Sequence, residues 1–252
     1  MPKVLITGCS SGFGLAIAKT FRSEGWDVVA TMRIPRDDLL PADEKLEILA
    51  LDVTNAQSIE KAVNAVGPID ALVNNAGVGM LNVLEGAEMS NIRELFDTNV
   101  FGAMAMTKAV LPQMRDRRSG VIVNVSSSVT IKPLRALSVY SASKAALNAF
   151  TESLALEAAL FGVRAKLVLP GSAPTTAFGK NAVARMGMDI PEPYSAFVHD
   201  YLTTLRSGTE FTTPENVAEA VWRAATDLTA PIKIPAGEDA RTWFREAGHS
   251  LT

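Results

Sequence analysis

The chain has 252 residues, 48% hydrophobic and 20% charged, which is enough for one large core in a single domain. A net charge of −3 offers no electrostatic footprint for nucleic acid or an anionic membrane, and no apolar run approaches the length of a bilayer span. The single cysteine, Cys9, excludes an internal disulfide, and His199 and His249 have no cysteine partners, so a metal site is not expected. A strand starting at Lys3 leaves no room for a signal peptide, and the expected compartment is the cytoplasm.

In chain order, the first unit is strand, glycine turn, helix. Val4-Leu5-Ile6 runs into Thr7-Gly8-Cys9-Ser10-Ser11-Gly12-Phe13-Gly14, and a helical stripe follows at Leu15, Ile17, Ala18 and Phe21. Glycines permit the tight turn and a close backbone approach, while the free N–H groups at the helix start favour a phosphate. Gly8, Ser10, Ser11, Gly12, Phe13 and Gly14 are therefore candidate dinucleotide contacts. The position of the glycines, after an apolar strand and before a helix, lifts the signal above a generic strand-ending turn.

A second strand, Trp26 to Thr31, ends in Met32-Arg33. An acid at this tip would accept from a ribose 2′-OH, whereas arginine suits a 2′-phosphate. Arg33 is therefore a candidate for a 2′-phosphate, with a solvated surface arginine as the alternative. The third strand, Leu46 to Leu51, closes on Asp52-Val53. Asp52 could meet an adenine amino group or cap the helix that starts near Asn55, and spacing does not separate the two.

Helix Ala56–Val66 leads to strand Ile69 to Val73 and the turn Asn74-Asn75-Ala76-Gly77. One long helix is expected from about Ile92 to Arg115, with the polar Asn99 among apolar neighbours. That asparagine binds either a backbone group or a water serving the site. Strand Val121 to Val125 ends in Ser126-Ser127-Ser128. Tyr140 and Lys144 then stand four apart near the start of an apolar helix, on one face, as a candidate acid–base pair. A positive charge there is expected to lower the tyrosine pKa. Strands alternating with helices give an α/β fold, doubly wound, with a parallel sheet covered on both faces.

Thr7-Gly8-x-x-x-Gly12-x-Gly14, Asn74-Asn75-Ala76-Gly77, Asn99, Ser127, Tyr140-x-x-x-Lys144 and Pro170-Gly171 together resemble the motif series of the short-chain dehydrogenase/reductases. The set covers nearly the whole chain in the family's order and spacing. The resemblance implies a compact Rossmann-type domain with a seven-stranded, mainly parallel sheet. By the same analogy Tyr140 exchanges the proton, Lys144 holds the nicotinamide ribose, Ser127 bonds the reacting oxygen and Asn99 positions a relay water. It also extends the cofactor contacts to Val53, Asn75, Ala76, Gly77, Pro170, Gly171, Ala173 and Thr175. Ala173 departs from the family, which usually has a β-branched residue there, while Thr175 fits.

Beyond Thr175 the chain is irregular and rich in aromatics and methionine, the composition of a lid over residues 174–209. Pro214 then opens a helix, followed by a short strand at Ile232 to Ile234 and a tail helix. The expected activity is an oxidoreductase moving hydride between NADP(H), with NAD(H) possible, and a carbonyl or secondary alcohol on an apolar or neutral small molecule. A homodimer or homotetramer is implied by the resemblance, with no nucleic-acid or membrane partner. The rivals are a non-catalytic dinucleotide sensor and a related epimerase or dehydratase, which would usually need a larger substrate domain.

Overall fold

The structure, a computed structural model, describes residues 1–40, 44–173, 190–207 and 211–250. Seven strands form its frame: β1 (Lys3–Ile6), β2 (Asp27–Met32), β3 (Leu46–Ala50), β4 (Ala71–Asn74), β5 (Gly120–Val125), β6 (Val163–Pro170) and β7 (Lys233–Ala236). They lie in the order β3-β2-β1-β4-β5-β6-β7. All six neighbouring pairs are parallel. The chain leaves β1 toward β2 on one side, while β4 pairs with β1 on the other. This reversal opens a crevice at the carboxyl ends of β1 and β4, where open α/β sheets take their ligands.

Parallel strands covered on both faces must be apolar at every position, and β1 shows the consequence. Val4 and Ile6 pack beneath α1 (Gly12–Ser23) and α7 (Pro214–Thr226), while Leu5 points to the opposite layer. That second layer is α2 (Ala56–Val66), α4 (Ala103–Arg117) and α5 (Ser138–Ala159). Burying each large aliphatic side chain contributes roughly 1.5–3 kcal/mol, so both layers are strongly specified by the strands between them. Phe21, Trp26 and Trp222 close one edge of the first layer, edge to face, with ring centroids 5.0–5.8 Å apart.

Local chemistry sets the helix starts. Asn55 caps α2 by accepting from Ser58 N–H at 2.9 Å. Thr213 and Asn216 cap α7 reciprocally, with Pro214 in its first turn. In place of one long helix from Ile92 to Arg115, the segment is α3 (Met89–Phe96), a π-helical stretch (Asp97–Gly102) and α4. Gly102 faces Val53 closely: a Cβ there would sit 2.8 Å from Val53 Cγ2.

The described part of the stretch between β6 and α7 carries α6 (Ser195–Ser207). Val198 and Tyr201 are buried against Leu81, Val83 and Ala136, which lie in the loops after β4 and β5. Asp200 meets Arg135 at 2.9 Å. The tail is α8 (Glu238–Glu246). No helix among the described residues is long and apolar enough to cross a membrane.

Candidate active site

The glycine turn is held by the strand beside it. Thr7 Oγ1 accepts from the N–H groups of Asn75 and Ala76 at 3.0 and 2.9 Å. The Asn75 side-chain amide donates back to the Thr7 and Gly8 carbonyls at 2.9 and 3.1 Å. These bonds join the β1 and β4 turns, so Asn75 spends its amide on the loop itself, and Ala76 sits against Gly8. Gly8 and Gly12 adopt φ of 76° and 54°, where a side chain is strained. A Cβ on Gly14 would collide with the Gly8 carbonyl oxygen. Ser11 is the N-cap residue of α1 yet makes no capping bond with its side chain, so the first N–H groups of the helix are not capped from that side. Ser10 and Ser11 are exposed, Phe13 is half-buried, and the buried Cys9 thiol, pushed up to about 12 by burial, is inert. A tight glycine cradle facing uncapped helix N–H groups fits a dinucleotide pyrophosphate.

At the tip of β2, Met32 is buried in the core and Arg33 is exposed. Asp52 is neither a helix cap nor free: Thr54 N–H and hydroxyl donate to it at 2.9 and 2.7 Å. Those bonds, with a smaller contribution from the Arg33 charge, hold its carboxyl below the usual range. Asn55 takes the cap because it sits three residues before the N–H it must reach. Val53 is buried, facing Gly102.

The candidate acid–base pair, Tyr140 and Lys144, lies beneath the end of β5. Tyr140 is buried and hydrogen-bonded to Ser127, which caps a single helical turn by accepting from Val129 N–H at 3.3 Å. Ser126 instead points at Asn148 Oδ1, 2.5 Å away. Lys144 Nζ donates to the Val125 carbonyl at 3.1 Å and stands 5.9 Å from the Tyr140 ring centroid. Burial pushes the Tyr140 phenol up, and the Ser127 bond only partly opposes it. The same desolvation brings Lys144 down to about 8. The expected depression of the tyrosine pKa is thus replaced by a rise, because desolvation of the phenolate is the largest influence on it, ahead of the Ser127 bond.

Asn99 occupies the π-helical stretch and is buried. Its Oδ1 accepts from Val78 N–H at 2.8 Å, and its amide donates to the Val78 carbonyl at 3.0 Å and to Ser143 Oγ at 3.2 Å. Of its two readings, backbone binding is the one this geometry displays. A Cβ on Gly77 would lie 3.3 Å from Asn99 Oδ1 and 3.6 Å from Lys144 Nζ. The β4 turn, the π-helical stretch and α5 therefore converge on one point. Pro170 ends β6, and Gly171 N–H is held by the Ala236 carbonyl and Thr212 Oγ1 at 3.2 and 2.9 Å. Ala173 follows, half-buried, whereas Thr175 lies outside the described residues.

Beside Tyr140 the walls are apolar. Met80, Leu95 and Val139 pack around it, and Leu137 links this group to the cluster under α6.

Residues 2–186 match the family model for the short chain dehydrogenases. The chain is a short-chain dehydrogenase/reductase. It is 40% identical over 238 residues to the uncharacterised oxidoreductase YusZ of Bacillus subtilis, covering 88% of this chain and 84% of that protein. It is 36% identical to human retinol dehydrogenase 8 over 248 residues, 91% of this chain and 79% of the relative. Among solved structures, a closed serine dehydrogenase complexed with NADP+ superposes with a TM-score of 0.79 at 30% identity, covering 93% of this chain and 94% of that one.

In this dehydrogenase the sequence reading gave no role to Thr7, Ser143 or Asn124. Ser143 Oγ is fully buried and donates to the Tyr140 carbonyl at 2.7 Å, linking Asn99 to α5. Asn124 accepts from Asn74 and donates to Thr151, both at 2.8 Å, tying β4 and β5 to α5. The available signal was a polar residue interrupting an apolar strand or helix face, but its long-range partners lie 27 to 69 residues away.

Proposed function

We propose that this dehydrogenase is an NADP(H)-linked carbonyl reductase or alcohol dehydrogenase acting on an apolar or neutral small molecule. The observation that carries the reading is the Ser127–Tyr140 hydroxyl pair, buried beside Lys144 at the carboxyl edge of the sheet. NADP(H), when bound, supplies or accepts the hydride. Gly8 to Gly14 with the start of α1 would hold its pyrophosphate, Arg33 the 2′-phosphate, Asp52 and Val53 the adenine side, and Lys144 the ribose. The loop 170–173 would hold the nicotinamide end.

The phenol raised by burial stays protonated near neutral pH, which suits donation to a carbonyl oxygen gaining negative charge. Ser127 donates to the same oxygen and stabilises that charge. As the phenol gives up its proton, the Lys144 ammonium, protonated below about pH 8, offsets the phenolate. Asn99 Oδ1 keeps a second lone pair, where a relay water behind Lys144 would bind.

The apolar walls around Tyr140 favour a substrate without charge, in line with a relative named for retinol. The segment 174–209 is read as the substrate cover; of it only 190–207 lie within the described residues, where α6 packs Val198 and Tyr201 against Leu81, Val83 and Ala136. A homodimer or homotetramer fits the outer face of α4 and α5, where a groove of about 420 Å³ is lined by Leu111, Pro112, Phe150, Leu154 and Phe161. The direct test is consumption of NADPH with a panel of apolar ketones and aldehydes. Tyr140→Phe should keep NADPH affinity and lose at least about 10²-fold in turnover. Near-normal turnover by that variant, or a wild type that binds NADPH and reduces nothing, rejects the reading.

A further inference from the structure

The two ends of the covering segment meet at their root. Thr212 N–H donates to the Ser172 carbonyl at 2.7 Å, joining the residues just after β6 to those just before α7. Thr212 Oγ1 accepts from Gly171 N–H at 2.9 Å and lies 2.9 Å from the Ala236 carbonyl. Behind this junction stands a buried carboxylate, Asp239, in the first turn of α8 and only 7% exposed. Its Oδ2 accepts from Ser172 N–H at 2.6 Å, and its Oδ1 accepts from the Thr212 hydroxyl at 2.8 Å.

One side chain therefore joins Ser172, just after Pro170, to Thr212, just before α7. Nothing larger than glycine fits at 171 or 237. A Cβ on Gly171 would collide with the Asp239 carboxylate, and one on Gly237 would collide with Thr212 Oγ1. Burying a carboxylate is costly unless it is bonded, and here two donors and the positive end of α8 offset that cost. An apolar residue could fill the same space but could not fix the peptide planes at 171 and 172. At its far end α8 packs Phe244 against Leu167, Leu169 and Ile131, four residues beyond Ser127. The tail helix thus touches both loops that flank the catalytic pair.

We propose that Asp239 is a positioning residue for the reaction. Through Ser172 and Thr212 it sets the 170–173 loop and the root of the cover, so the tail helix shapes the nicotinamide end of the site without touching a ligand. The inference rests on the reading of this chain as a dinucleotide-dependent oxidoreductase.

Asp239→Ala and Asp239→Asn separate positioning from bulk stability. The asparagine oxygen can still accept from Ser172 N–H while its amide donates to Thr212 Oγ1, whose hydroxyl turns to the Ala236 carbonyl. Purified variants, checked for folding by circular dichroism, are titrated with NADPH and assayed on the best carbonyl of the panel. Asp239→Ala should raise the NADPH Kd and KM about tenfold or more, the scale of a lost charge-assisted bond, while Asp239→Asn stays within about threefold of wild type. If Asp239→Ala does not fold, Thr212→Val must show the same rise. A folded Asp239→Ala with a lower melting temperature but unchanged Kd, KM and kcat overturns the proposal and leaves the dehydrogenase reading intact. A wild type that binds neither NADPH nor NADH overturns both.

Discussion

The glycine loop and helix α6 are held in place by different forces. At the glycine loop, Thr7 and Asn75 make four bonds of 2.9–3.1 Å, and glycines leave no room for movement between the turns. At α6 the fixings are a few apolar contacts through Val198 and Tyr201 and an ion pair, Arg135–Asp200, whose side chains are 53% and 69% exposed. Sheltered, mutually satisfied hydrogen bonds are costly to break, whereas an exposed ion pair contributes about 0–1 kcal/mol. The first region is therefore tied by buried bonds and the second by weaker, partly exposed contacts.

That contrast breaks most sharply at Gly14. Gly14→Ala forces a methyl group onto the Gly8 carbonyl, and the turn can yield only by parting from Asn75. The expected cost is about 1–3 kcal/mol in stability, as for other overpacked sites, with NADPH binding abolished or reduced beyond that of any other variant here. Denaturant unfolding and dinucleotide titration measure the two. A variant with wild-type affinity would show that the cradle is looser than its geometry.

Next comes Arg33, exposed at the same edge and electrostatically coupled to Asp52. Arg33→Ala should weaken NADPH binding by roughly one to two powers of ten and leave NADH nearly untouched. Comparing both cofactors in wild type and variant checks this, and equal losses for the two would remove Arg33 from phosphate recognition. The neighbouring Met32 is buried, so an acid introduced there would report burial of a charge rather than cofactor choice.

A third variant tests what preorganisation costs. Lys144 has a folded pKa of about 8 against 10.5 unfolded, so its buried charge destabilises the ligand-free fold below pH 8. The penalty fades as pH rises from about 8 to 10.5, because the unfolded chain then still binds a proton that the folded one has released. Lys144→Met should therefore be inactive yet more stable at pH 7 by about 2 kcal/mol, less than the full shift because Val125 loses a donor. Urea unfolding of both proteins across this pH window should show the gap closing as pH rises. A gap that widens reverses the sign and refutes the argument.

The smallest effect belongs to α6. Arg135→Ala removes the pair with Asp200 and the contact with the Phe197 ring, 5.0 Å from the guanidinium. It should change global stability by less than about 1 kcal/mol. Hydrogen exchange in 195–207 should nonetheless rise several-fold, while the turn at 74–77 remains unchanged. Equal acceleration in both regions would mean that the two sides are not held independently.

What the sequence determined is what repeats over a few residues. Apolar runs alternating with helical stripes specified the parallel sheet, and α2 spans Ala56–Val66 as its stripe and its cap at Asn55 require. Tyr140 and Lys144 share a helix face because they are four apart, and the glycine turn is legible because positive φ demands glycine. Tertiary structure alone decided the rest. Thr7 meets Asn75 and Ala76 across 68 and 69 residues, Asn99 reaches Val78 through a π-helical stretch that no periodicity marks, and Asp239 finds Ser172 across 67. The direction of the Tyr140 shift belongs with these. The charge beside it is written in the sequence, but desolvation depends on every atom packed around the phenol, and it prevailed.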